Sequence, residues 1–162
     1  MLTQAELKTL FHYSPDTGIF TRIKTTSSNA KAGTVAGCKD TYGRFVIRIN
    51  NVLHYAHRLA WLYMTGDFPK EIIDHIDCNN GNNKWSNLRC ANKSTNAQNV
   101  IKAPKNNTTG FLGVSYHKLA NKFRATICID GKSSHLGFFE SAEEAHQAYI
   151  EAKRKLHPYG ML

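Results

Sequence analysis

The segment Asp74-His75-Ile76-Asp77 opens the stretch around which this chain is organised, and Asn96-Ala97-Gln98-Asn99 closes it. Between them lie an asparagine-rich loop and then Asn87-Leu88-Arg89. Together these pieces supply a carboxylate beside an imidazole, a turn, and a carboxamide that returns to the same place. Hard cations prefer carboxylate and amide oxygens, and an imidazole can accept a proton from water at neutral pH. The stretch therefore predicts a one-metal phosphodiester hydrolase.

Each predicted site residue has one role. Asp74 and Asn96 are predicted to bind one Mg²⁺ or Mn²⁺ per active site, since both offer hard oxygen ligands. His75 is the predicted general base, although strand alternation would point it away from Asp74, so a bulge or turn must bring the two groups together. Asn87 is predicted to bond across the loop and orient His75.

The remaining asparagines of this stretch are interpreted as ordinary loop residues, because asparagine tolerates left-handed turns. This group comprises Asn79, Asn80, Asn82, Asn83 and Asn92.

The chain of 162 residues can form one ordinary domain or two small ones, and its 41% hydrophobic content argues against disorder. Its formal net charge is +9. Such an excess of positive charge favours a polyanionic partner, most often nucleic acid, through counterion release. The alternative is a basic soluble protein with no such partner.

The four cysteines lie far apart, with no pair at the spacing of a zinc knuckle. We interpret them as reduced, mostly buried thiols of a cytoplasmic protein. No run of residues is apolar enough to predict a membrane span or an export signal.

Residues 1–55 are predicted to form a β-rich N-terminal region. The capping box at Thr3 predicts a short helix from Gln4 to about His12, and a strand is expected from Ile19 to Ile23. Strand alternation after Arg44 buries Phe45, Ile47 and Ile49 and turns Arg44 and Arg48 outward, where both are predicted to contact DNA. A tight hairpin is predicted at Asn50-Asn51.

Residues 56–65 have helical spacing and end at Gly66. His57 lies on the apolar stripe of this helix with Trp61. Its position favours packing in the core over metal binding.

The segment 101–110 is polar and aperiodic and is predicted to be a linker. Three strand-like runs follow, at 112–117, 122–129 and 132–139, with a hairpin signal at Asp130-Gly131. A second capping box at Ser141 predicts a helix to about Leu156, with an inner stripe formed by Ala145, Ala148, Tyr149, Ala152 and Leu156.

The central stretch resembles the HNH homing endonucleases of phages and group I introns. The resemblance rests on Asp74-His75, Asn87-Leu88-Arg89 and Asn96-Ala97-Gln98-Asn99, preceded by residues 56–61, and covers roughly 42–100. It implies a ββα-metal motif over residues 56–100 in which Asp74, His75 and Asn96 meet at one metal-bound phosphate. Many relatives have a histidine where this chain has Asn96, a departure that favours Mg²⁺ or Mn²⁺ over Zn²⁺.

Residues 111–162 are similar to the Apetala/ERF-type DNA-binding domain of plants, on the evidence of Gly113-Val114, Phe123-Arg124-Ala125, Leu136 to Phe139 and Glu143-Glu144-Ala145. Relatives contact the DNA major groove with a three-stranded sheet, and one of their tryptophans is replaced here by Phe123. By position, the resemblance implies DNA contacts from His117, Lys118, Lys122, Arg124 and Thr126.

The predicted fold class is α+β: a ββα-metal core after the N-terminal region, followed by a small three-stranded antiparallel sheet packed on one helix. The predicted function is a site-directed DNA endonuclease that acts on double-stranded DNA as a monomer. One alternative is a DNA-binding regulator that does not cleave. A third hypothesis, an RNA-binding module, is disfavoured because the basic strands lack an evident aromatic stacking platform.

Overall fold

The computed structural model describes residues 2–157 and 160, with the backbone alone at 93 and 94. The chain divides into two compact units, the first ending at Ala91 and the second beginning at Asn92. Each mixes helices with small antiparallel sheets, so the predicted α+β class is confirmed. Within the described residues, no helix is long and apolar enough to cross a membrane.

In its described residues, the first unit contains two α-helices and three small antiparallel sheets. Its elements are α1 (Gln4–Leu10), β1 (Phe11–Ser14), β2 (Ile19–Arg22), β3 (Cys38–Lys39), β4 (Phe45–Ile49), β5 (Val52–Tyr55), α2 (Ala56–Thr65), β6 (Ile72–His75), a 3-10 helix (Trp85–Asn87) and β7 (Leu88–Ala91). One sheet is the hairpin of β1 and β2, the second has the order β3-β4-β5, and the third pairs β6 with β7.

The first helix is shorter than the sequence predicts. Its capping box forms between Thr3 and Glu6 as expected, but the helix ends at Leu10 and strand β1 begins at Phe11. The reason is tertiary: Phe11 and Tyr13 are buried while His12 between them is exposed, the alternation of a half-buried strand. Pairing with β2 therefore overrides the local helical signal.

The hairpin predicted at Asn50-Asn51 is confirmed. Both residues have positive φ, 48° and 63°, and they connect β4 to β5. Ile47 and Ile49 of β4 are buried as predicted, whereas Phe45 is only partly buried. Helix α2 ends at Gly66, whose left-handed backbone is also as expected.

The core of the first unit joins the N-terminal hairpin to α2. Its fully buried side chains include Leu7, Tyr13, Phe20, Leu59 and Leu62. The N-terminal region is therefore part of the same hydrophobic core as the hairpin β6–β7, which contributes Ile73 and Leu88.

The second unit holds α3 (Lys93–Gln98), β8 (Val114–His117), β9 (Lys122–Ile129), β10 (Lys132–Phe139) and α4 (Ala142–Leu156). Strand β9 is central in the antiparallel sheet, and α4 contacts all three strands. The predicted inner stripe of α4 is right at Ala145 and Tyr149 but wrong at Leu156, which is 44% exposed. Lys153 is buried there instead, because its Nζ donates to the carbonyl oxygen of Val100 at 2.7 Å.

The prediction of mostly buried cysteines is wrong. Cys38, Cys90 and Cys128 are exposed and Cys78 is half-buried. The three exposed residues lie in β3, β7 and β9, at strand positions that face away from the hydrophobic cores.

Candidate active site

The hairpin of β6 and β7 carries Asp74 and His75 at the end of its first strand. Register places Asp74 opposite Arg89 and His75 opposite Leu88. Directly after His75 the chain turns, with the Cys78 amide donating to the carbonyl oxygen of His75 at 2.9 Å. Both site residues are buried, Asp74 with 8% and His75 with 5% of its surface exposed.

Arg89 holds the carboxylate of Asp74. Its Nε and one terminal nitrogen donate to Asp74 Oδ2 at 3.0 and 2.7 Å. A guanidinium that gives two hydrogen bonds fixes both the position and the orientation of a carboxylate. No role for Arg89 is predicted from the sequence, although cross-strand pairing with Asp74 in a hairpin would suggest one.

Asn83 holds the imidazole of His75. The distance between His75 Nε2 and Asn83 Oδ1 is 3.0 Å, and Asn83 is only 3% exposed. The interpretation of Asn83 as an ordinary loop residue is therefore wrong. Nothing local marks Asn83 among its asparagine neighbours, because its burial depends on residues about 70 positions earlier.

Asn87 braces the loop between the two strands. Its Nδ2 donates to Asp77 Oδ1 and to the carbonyl oxygen of Asn82, and its Oδ1 accepts from the Asp77 amide. Burial alone would raise the pKa of Asp77, but hydrogen bonds from Asn82, Asn79 and Asn87 outweigh it and lower the pKa. Asp77 is thus a charged residue whose hydrogen bonds hold this loop together. Asn87 stabilises the same loop, which also contains Asn83.

His57 lies against the candidate base. Its ring meets the His75 ring edge-on at 5.2 Å and stacks on Tyr55 at 5.4 Å. Burial first, and then electrostatic repulsion from His75, Arg58 and Arg44, lower the pKa of His57 to about 4. His57 is therefore neutral at neutral pH and packs against the rings of Tyr55 and His75.

The low pKa of His57 predicts an acid-sensitive fold. An unfolded histidine titrates near 6.5, so between about pH 6.5 and 4 the unfolded chain binds a proton that the folded chain does not. The free energy of unfolding should fall over that window by on the order of 3 kcal/mol from this residue alone. Urea unfolding at pH 7 and pH 5 checks this: His57→Gln should narrow the difference, while His12→Gln, at an exposed histidine, should not. Equal pH dependence in all three proteins would contradict it.

Asn96, the second predicted metal ligand, lies on α3 in the second unit and has an exposed side chain. Among the described residues, no three His, Cys, Asp or Glu side chains cluster closely enough to hold a metal ion.

The two arginines predicted to contact DNA from this strand, Arg44 just before β4 and Arg48 within it, differ in their surroundings. Arg44 forms an ion pair with Asp40 at 2.8 Å and lies over the rings of Tyr42 and Tyr55. Arg48 is exposed. The guanidinium of Arg44 is thus already engaged by protein groups, whereas Arg48 is presented to solvent.

Arg48 lines a cleft in the first unit that has a volume of about 480 Å³. Arg22 and Lys24 line the same cleft, and Leu10 and Ile49 are among its apolar residues. Asp and Glu are missing from the described lining, so the cleft presents uncompensated positive charge.

The second unit carries the other predicted contacts on β8, on β9 and in the turn between them: His117, Lys118, Lys122, Arg124 and Thr126. Alternation along β9 buries Ala125 and Ile127 against α4 and turns the intervening side chains to the open face of the sheet. Lys118 is exposed in the turn. His117, Lys122, Arg124 and Thr126 therefore share the open face of the sheet, and Lys118 lies in the adjoining turn.

Lys122 and Arg124 differ in the contacts that they make within the protein. Lys122 forms an exposed ion pair with Glu140 at 2.6 Å, a contact of the kind that contributes little to stability. Arg124 Nε is buried and has no hydrogen-bond partner among the described residues. A buried donor without a partner is uncommon, so Arg124 is the side chain on this face most in need of an acceptor.

An aromatic group also lies on this face. The ring of Phe138, 44% exposed, contacts His117 at 5.1 Å and His135 at 4.7 Å. The register of β10 brings Phe138 opposite Arg124, so one aromatic ring accompanies the basic side chains of this face.

Comparison with known proteins gives three findings. The sequence model of the HNH endonuclease family matches residues 54–98. Protein 3.8 of Escherichia phage T7 is 35% identical over 102 residues, which span 62% of this chain and 83% of that protein. A solved structure described as "DNA binding and cleavage by the HNH homing endonuclease I-HmuI" aligns with a TM-score of 0.43 and 18% identity, over 90% of this chain and 80% of that one.

Proposed function

Because the chain belongs to the HNH endonuclease family, we propose that it is a metal-dependent DNA endonuclease that hydrolyses a phosphodiester bond, with His75 as the general base. The observation that carries the proposal is the hairpin β6–β7. Within the matched segment, it holds a carboxylate through Arg89 and an imidazole through Asn83 at adjacent positions. His75 takes a proton from the attacking water, whose oxygen bonds to phosphorus as the bond to the departing oxygen breaks.

The donor set fits a hard divalent cation. Asp74 offers carboxylate oxygens, and the two hydrogen bonds from Arg89 to Oδ2 fix the orientation of the group. Mg²⁺ is commonly bound by one or two carboxylates with water and substrate phosphate completing the set. Asp74 and Asn96 would hold one Mg²⁺ or Mn²⁺, which would neutralise charge on the phosphate and the departing oxygen.

We further propose that residues 111–162 are a DNA-binding domain of the Apetala/ERF type and residues 56–100 the nuclease core, joined through 101–110. A three-stranded sheet backed by one helix, with basic side chains on the open face, supports this assignment. Arg48, Lys118, Lys122 and Arg124 would contact phosphates of double-stranded DNA. The chain would act as a monomer at a defined site in the manner of a homing nuclease.

Arg124→Ala is expected to weaken DNA binding and to flatten its salt dependence. Losing one phosphate contact should reduce the slope of log K against log salt by about 0.9. Arg154→Ala is the matched control, since it removes the same charge from an exposed position near the end of α4. Fluorescence anisotropy across a salt series checks this. If Arg124→Ala and wild type have the same salt slope, Arg124 does not contact the DNA backbone.

The proposed cleavage is tested with fragments of genomic DNA from the source organism, incubated with Mg²⁺, Mn²⁺ or EDTA. Discrete cuts that appear only with metal would support the endonuclease. DNA that is retarded but uncut under every condition would instead favour the regulator that does not cleave.

Because Phe138 gives the sheet an aromatic group, the same incubation includes structured and single-stranded RNA as competitors. Loss of DNA binding in the presence of equimolar RNA would favour an RNA-binding module. Binding that persists would support DNA as the partner.

A further inference from the structure

A stack of planar side chains leads from the surface of the first unit to the candidate active site. The guanidinium of Arg44 lies between two tyrosine rings, 4.9 Å from the centre of Tyr42 and 4.6 Å from that of Tyr55. Tyr55 stacks on His57 at 5.4 Å, and the ring of His57 contacts that of His75 at 5.2 Å. Tyr42 is therefore the outer end of a stack whose inner end is His75.

We propose that Tyr42 stacks on an unpaired base of the DNA near the scissile phosphate. The inference rests on the proposed function, because it names the form of DNA that the nuclease holds. The Tyr42 side chain is 73% exposed, and the guanidinium of Arg44 covers one face of its ring. Inside a duplex, neighbouring bases cover both faces of each base, so a protein ring can stack only on a base that has left the helix or lacks a partner.

The turn that carries Tyr42 is held in place by Asp40. Its Oδ1 accepts hydrogen bonds from the amides of Tyr42 and Arg44, both at 2.9 Å. Its Oδ2 accepts from Arg44 Nε at 2.8 Å, and the Gly43 amide donates to the Asp40 carbonyl oxygen at 3.0 Å. Because the backbone and one face of the ring are already held, the protein loses little conformational entropy when a base stacks on Tyr42.

The same turn lies against the loop that joins β6 to β7. A Cβ built on Gly81 would be 3.5 Å from the carbonyl oxygen of Gly43 and 3.9 Å from Lys39 Cε. The spacings along the stack place the Tyr42 ring within about 20 Å of the His75 ring, which is about six nucleotides at 3.4 Å per step along a strand. One DNA strand can therefore contact both residues.

Arg44 supports the ring in this arrangement, in place of the phosphate contact predicted from the sequence. Asp40 pairs with its guanidinium at 2.8 Å, and a tyrosine ring lies on each side of it. The ion pair offsets the positive charge of Arg44. Arg44→Gln should therefore weaken stacking on Tyr42 without changing the salt dependence of binding to fully paired DNA.

The test measures binding of the full chain in EDTA by fluorescence anisotropy, with two duplexes of one sequence from the source organism. One duplex is fully paired, and the other carries a single bulged adenine. Tyr42→Ala should bind the bulged duplex about 5- to 150-fold more weakly than wild type, the usual contribution of stacking on one base. Its loss on the paired duplex should be smaller, because the cost of unpairing a base offsets the gain from stacking there.

Two variants separate stacking from an effect on the fold. Tyr42→Phe keeps the ring and should bind both duplexes like wild type. Thr41→Ala is the matched control, since Thr41 is the adjacent exposed residue of the same turn, and it should also bind like wild type. With Mg²⁺ added, wild type should cut the bulged duplex within about six nucleotides of the bulge.

Equal binding of the bulged duplex by wild type and Tyr42→Ala would overturn the role of Tyr42. Equal losses on the two duplexes would also overturn it, because they would indicate a contact that does not need an unpaired base. Cuts by wild type only at greater distances from the bulge would contradict the position of the stacked base. A wild type that cuts no DNA would overturn the proposed function instead.

Discussion

Replacing His75 with alanine is expected to lower the single-turnover rate of DNA cleavage by about 10²- to 10⁴-fold, the usual contribution of a general base. DNA affinity measured in EDTA should stay essentially the same. His75 is buried in the hairpin β6–β7, and its proposed role is to accept one proton in the transition state, so its loss should appear in the rate and not in binding.

The matched control is His12→Gln, which changes an exposed histidine on β1. It should cleave at the wild-type rate. Unchanged turnover in His75→Ala would exclude His75 as the base, and an equal loss in both variants would indicate an effect on the fold.

Replacing Gly18 with alanine is expected to destabilise the first unit and to impair cleavage. Gly18 has φ +73°, and a Cβ there would lie 2.3 Å from the carbonyl carbon of Asn83 and 2.5 Å from the amide nitrogen of Lys84. Both atoms are backbone, so the loop that carries Asn83 must move. The left-handed backbone alone costs alanine about 1–2 kcal/mol, and the contact adds to it.

Gly33→Ala separates the two contributions. Gly33 has φ +78°, but no described atom lies within 4 Å of a Cβ built there. Thermal unfolding should show a fall in Tm for Gly33→Ala that reflects the backbone cost alone, about 4–8 °C per kcal/mol for a unit of this size, and a clearly larger fall for Gly18→Ala. Equal falls would contradict the close approach of the β1–β2 turn to the active-site loop.

Features with a local cause were predictable from the sequence. The capping boxes at Thr3 and Ser141 form as expected, and Asn50-Asn51 makes the predicted hairpin. In each case, the residues that determine the conformation are within a few positions of one another, so the pattern contains the whole cause.

Features that depend on distant packing were not predictable. The partner of His75 is Asn83, one of several asparagines in the loop, and only the approach of Tyr13 and Gly18 from the N-terminal hairpin distinguishes it. The strand at Phe11 likewise depends on a partner strand, because its local sequence continues a helix. The sequence indicates which kinds of side chain form the candidate site. Tertiary contacts determine which of several identical residues, such as the loop asparagines, lies in it.

The most direct test of the account is the relaxation of a supercoiled plasmid that carries the source organism's DNA, with wild type and His75→Ala compared in Mg²⁺ and in EDTA. The account predicts open circles, or linear product if both strands are cut, only with wild type and metal together. Relaxation in EDTA, or equal relaxation by His75→Ala in Mg²⁺, would contradict a metal-dependent nuclease in which His75 activates water.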